Sequence, residues 1–101
     1  MDDVILRRPS HADAETQKVY RAFVRDGRIA TLPARRSKRR VLLELVVLLF
    51  EPGVRYDEAD VNRTLMALHD DYVALRRHLV DEHLLERDHG TYWRIGGAVQ
   101  V

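Results

Sequence analysis

The chain has 101 residues, 46% apolar and 33% charged, with 17 Lys and Arg against 16 Asp and Glu. That length holds one domain with one modest core, and the composition is that of a folded chain. The absence of cysteine excludes disulfides and thiolate zinc sites, and the longest apolar run, 41–50, is broken by Glu44 and falls well short of the ~20 residues a membrane span needs.

The near-neutral total hides an asymmetry. Residues 1–50 carry a surplus of five positive charges and residues 51–101 a surplus of four negative ones. The opening, MDDVILRRPS, has an acidic start and only a three-residue apolar segment, unlike a signal peptide, so a cytoplasmic location is expected.

Residues 1–10 have no periodicity and contain Pro9, which reads as a flexible arm ahead of a single domain over 11–98. Ser10 and Asp13 mark a helix start, and Ala12, Val19 and Phe23 then share one helical side, with Tyr20 beside them. Asp26-Gly27 is a turn signal, and Ile29 to Leu32 is a short strand or extended linker stopped by Pro33.

The spacing predicts a helix over 37–50 whose apolar residues cover more than half the circumference, leaving Arg40, Glu44 and Val47 on the other side. Such a helix is buried on more than one side, either beneath the N-terminal helix or against a dimer partner. Pro52-Gly53 turns the chain into a short strand at 54–56, and Asp57 caps a helix carrying Val61, Leu65 and Leu68 inward. A further helix over 71–83 points Tyr72, Val73, Leu75, Leu79 and Val80 inward. Two β-leaning runs around Asp88-His89-Gly90 then close as a hairpin. The expected fold is α+β, mostly α: a winged helix-turn-helix with an additional N-terminal helix and a C-terminal β-hairpin wing.

Three stretches resemble a bacterial domain-of-unknown-function family, found alone or behind arsenic-repressor-type DNA-binding domains. They are Phe23…Asp26-Gly27-Arg28-Ile29…Leu32-Pro33-Ala34, then Phe50-x-Pro52-Gly53-x-x-Tyr56-x-Glu58-x-x-Val61-Asn62, then Asp71-x-x-x-Leu75-Arg76-Arg77-x-Leu79-Val80-Asp81 with Leu85-x-Arg87 and Tyr92-Trp93-Arg94. The resemblance covers roughly residues 20–95 and implies a winged-helix-like fold and a tie to transcriptional regulation, but no activity. His83-Leu84 departs from it, standing where a glycine-containing helix end is common.

In a helix-turn-helix the 71–83 helix would enter the major groove with its N-terminal residues first. On the helical wheel Arg76 lies inside the apolar face and needs a carboxylate, so it reads as a structural clamp with Glu58, ahead of Asp60 and Asp71. Arg77 lies outside with Asp70, Ala74, His78, Asp81 and Glu82, and those carboxylates oppose phosphate. Asp70 and Asp71 read as caps, and in the hairpin Glu86 and Asp88 offset Arg87 and His89.

The stronger anion site is Arg35, Arg36, Lys38, Arg39 and Arg40 at the start of the long helix, with a solvated linker as the bland reading. If DNA binds, these residues and Arg7-Arg8 hold its backbone, with Asn62, Arg63 and Arg77 nearer the bases. No histidine spacing suits a metal, and no nucleophile, phosphate loop or carboxylate pair suggests catalysis. Tyr92 and Trp93 are expected to pack on the core. The expectation is therefore a non-enzymatic DNA-binding regulator module without cofactor or membrane. The alternative is a homodimerisation or regulator-protein interaction domain that does not bind DNA.

Overall fold

The computed structural model describes residues 4–97. The remainder of the expected arm (1–3) and the expected domain end at 98 lie outside the described residues. The first helix, α1 (Ala14–Phe23), starts where Asp13 accepts a hydrogen bond from the Thr16 amide at 2.8 Å. It buries Val19 and leans Tyr20 and Phe23 on the core.

The segment ahead of α1 is not loose. Leu6 is 2% exposed, its amide donates to the Gly27 carbonyl at 2.8 Å, and its carbonyl accepts from the Tyr20 hydroxyl at 2.6 Å. A buried leucine and satisfied backbone groups offset the entropy of ordering so short a stretch. Gly27 permits the approach, since a Cβ there would sit 2.6 Å from Cβ of Ile5.

Strands β1 (Val24–Arg25) and β2 (Arg28–Ile29) form a tight hairpin through Asp26 and Gly27, both at positive φ. The long helix, α2 (Arg36–Val47), stops before the expected Phe50 because the Leu49 and Phe50 amides bond three residues back, to Val46 and Val47. Leu42, Leu43, Val46 and Val47 are fully buried. Part of that cover is α1, and part is the helix over Tyr72–Asp81. Val47, expected on the polar side, is buried because the chain leaving the last strand crosses it, with a Cβ on Gly97 reaching 2.7 Å from its methyl.

Strand β3 (Arg55–Asp57) leads into α3 (Glu58–Leu68) and α4 (Tyr72–Asp81), followed by β4 (Leu85–Asp88) and β5 (Thr91–Arg94). Val61, Leu65 and Leu68 of α3 meet Leu75 and Leu79 of α4 with no exposure at all. Val73, expected inward, is 47% exposed on the outer side of α4. The α4 end is closed by His83 at φ 59°, which lets the Leu84 amide reach the Leu79 carbonyl at 2.9 Å.

The second sheet is antiparallel in the order β3-β5-β4, which places Tyr56, Tyr92 and Arg87 in one row and Arg55, Trp93 and Glu86 in the next. Neighbouring rows face opposite sides. Tyr92 therefore enters the core, while Trp93 turns outward beneath the Arg55 guanidinium, 4.2 Å from the ring centroid. This corrects the expectation that both rings pack inward. The result is an α+β domain of four helices and two small antiparallel sheets among the described residues.

Candidate nucleic-acid interface

Arg76 lies between α3, α4 and the sheet. Its guanidinium donates to the Asn62 side-chain oxygen, stands 3.8 Å from Glu58, and is 5.9 Å from the Tyr92 ring centroid. The Tyr92 hydroxyl in turn donates to Glu58 at 2.9 Å. With 17% of its side chain exposed, Arg76 joins α3, α4 and β5. Asn62 is half-buried, and its side-chain oxygen is spent in this network. Arg63 is exposed and held by Asp60 one turn earlier, at 2.8 Å.

Beside the network lies a groove of about 280 Å³ between α4 and the hairpin, lined by Val73, Arg76, Arg77, Val80, Asp81, Arg87 and Tyr92. Arg77 and Arg87 approach it from opposite walls. Contact with the Tyr92 hydroxyl raises the Arg87 pKa further, so that guanidinium stays charged. On the other flank of Arg77, the His78 imidazole is held below its ordinary pKa, first by burial and then by Arg39 and Arg77; Asp81 and Glu82 act the other way. Arg39 belongs to α2, so the start of that helix lies within electrostatic reach of His78 on α4.

That cluster is partly committed to the fold. The Arg36 Nε donates to Glu82 at 2.8 Å, and Arg40 donates to the Glu82 carbonyl at 2.8 Å and to its carboxylate at 3.1 Å. Arg39 donates to the Pro33 and Ala34 carbonyls. Arg40 also lies 3.8 Å from Glu44. Arg36 nonetheless keeps 76% of its side chain exposed, and Arg35 is exposed beside it.

Glu82, expected on the outer face of α4 among residues opposing phosphate, is instead 7% exposed and faces α2. Its amide still bonds the His78 carbonyl, and its place seven residues after Leu75 and three after Leu79 puts it on the buried side of the wheel, where α2 packs. Its pKa falls to about 2, chiefly through the hydrogen bond from Arg36. At the start of α4, Asp71 caps the Ala74 amide at 3.1 Å and Asp70 pairs with Arg28 at 2.8 Å. No group of three or more His, Asp or Glu among the described residues comes together to hold a metal, and no described helix is long and apolar enough to cross a membrane.

The family model for uncharacterised proteins conserved in bacteria, DUF2087, matches residues 28–94. The chain belongs to the DUF2087 family. The match starts in β2 and ends with β5, so α1 and the docked segment before it lie ahead of the matched region. No curated protein and no solved structure shows a significant match to the chain.

Within this DUF2087 domain the stretches that carried the resemblance meet: Glu58 and Asn62 on one side, Arg76 on the other, with Tyr92 between. Sequence reasoning missed two members of the interface. Arg87 was discounted against its acidic neighbours, although strand alternation places it on the opposite face from Glu86 and Asp88. Glu82 was read as a repulsive charge, and the signal for its true setting was its spacing of seven from Leu75 and three from Leu79, both buried.

Proposed function

We propose that this domain is a winged-helix module of transcriptional control that grips nucleic acid by its phosphates. In that reading α3 and α4 are the helix-turn-helix pair and the β4–β5 hairpin is the wing, following the element order from α2 to β5. The observation that carries it is a short cationic strip in the groove between α4 and the hairpin, where Arg77 lines one wall and Arg87 the other. Cations spaced along a groove bind the sugar–phosphate chain through counterion release, with little dependence on sequence.

Arg77 stands in the second half of α4, whereas Asp70 and the N-cap Asp71 stand just ahead of its first turn. The phosphate backbone would thus lie across the helix, and deep entry of its N-terminus into the major groove is disfavoured. Arg35, Arg36 and Lys38 extend the strip as electrostatic anchors, while Arg40, tied to Glu82 and Glu44, is assigned to the fold.

A second reading is an interaction domain for a regulator protein or another copy of itself, without DNA contact. It is favoured by the carboxylates Asp57, Asp60, Asp70 and Asp71, which surround the ends of α3 and α4. Binding to random-sequence duplex DNA at low and moderate salt separates the two. Salt-sensitive binding that Arg77→Gln with Arg87→Gln removes supports the first reading. A domain that ignores DNA at low salt supports the second.

A further inference from the structure

A groove of about 590 Å³ lies on the opposite side of α2, between the docked N-terminal segment and the turn that ends the helix. Its apolar wall is Ile5, Leu45, Leu48 and Leu49, of which Ile5, Leu48 and Leu49 are 36–39% exposed. Leu48 and Leu49 follow the end of α2 at Val47 and stay exposed, whereas Leu45, within the helix, leans partly on the core.

Among the described residues, the ionisable groups of the lining are Arg7, Arg8 and His11, with no carboxylate. Arg8 is positioned by a 3.0 Å hydrogen bond to Gln17, whereas Arg7 has no hydrogen-bond or ion-pair partner among the described residues. The volume falls within the range of small-molecule sites, which combine an apolar wall with a few convergent polar groups.

We propose that this groove binds a small amphipathic anion, with a carboxylate on Arg7 and Arg8 and an apolar tail along Leu45, Leu48 and Leu49. The tail removes exposed leucine surface from water, and the head group meets two fixed-charge guanidinium groups. This inference assigns Arg7 and Arg8, expected from the sequence to hold a DNA backbone, to a different ligand, and it uses none of Arg77, Arg87 or the 35–40 cluster.

The test is titration of the isotope-labelled full chain with decanoate below its micelle concentration, followed by amide chemical shifts. Expected are saturable shifts at residues 5–12 and 45–49, no such shifts with acetate, and affinity about tenfold weaker for decyltrimethylammonium, whose tail matches but whose charge is reversed. Arg7→Gln should weaken decanoate about fivefold and Leu49→Asp should abolish saturation, with thermal melts confirming that both variants fold. Equal affinity for the two decyl compounds, or shifts scattered over the surface, would overturn the proposal. So would binding to anionic phospholipid vesicles without any response to decanoate.

Discussion

Glu82 carries its carboxylate from the end of α4 to the start of α2, where Arg36 Nε meets it at 2.8 Å. A residue that reads as surface repulsion in the sequence is thereby the tie between the first and last helices of the matched region. It also consumes part of the positive charge that the 35–40 cluster advertises.

That tie makes stability pH-dependent in a definite direction. The folded pKa of Glu82 is about 2 against an ordinary 4.5, so its contribution is complete above about pH 4.5 and is lost as pH falls toward 2. Glu82→Gln should lower stability at neutral pH by about 2 kcal/mol, given that both arginines can rehydrate. It should also flatten the acid limb of an unfolding curve between those two pH values. Denaturant titrations at a series of pH values measure both effects.

Arg76→Ala removes the residue that holds α3, α4 and β5 together. Because Glu58 remains half-exposed, the loss is set mainly by the hydrogen bond to Asn62 and by packing on Tyr92, and about 2 kcal/mol is expected. Arg77→Ala, one residue away on the outer face, should leave the melting temperature nearly unchanged. Equal effects of the two substitutions on thermal unfolding would refute the division of roles.

Burial and two neighbouring cations keep His78 neutral, and an arriving phosphate would reverse that balance. Nucleic-acid affinity should therefore rise as pH falls from about 7.5 to about 5.5, since binding takes up a proton. His78→Gln should abolish the pH response. Arg77→Gln should reduce the slope of log affinity against log salt by about one. Fluorescence anisotropy with a labelled duplex reads all three.

His83 adopts φ 59° without being glycine. His83→Gly should raise stability by about 0.5–1 kcal/mol, because the left-handed helix end then carries no Cβ cost. The opposite change in kind, Gly27→Ala, meets both a φ of 77° and Ile5 at 2.6 Å. It should destabilise the protein by about 1–3 kcal/mol and increase proteolysis between residues 4 and 12.

Periodicity and turn chemistry were enough, from the sequence alone, for the element order from α2 to β5, the inward face of α3, the two turns at Gly27 and Gly90, and the inward setting of Arg76, but not for the β1–β2 hairpin. These depend on residues within a few positions of one another, where spacing translates directly into a shared face. Only the tertiary structure decided that Leu6 docks, that Val47 is covered by the chain after β5, that Trp93 faces out, and that Glu82 turns toward α2. Each of these rests on where one element ends or on a neighbour distant in sequence, and a helical wheel carries neither. The candidate interface follows the same division: Arg77 was legible on its helix, but its pairing with Arg87 across the groove exists only once the hairpin folds back on α4.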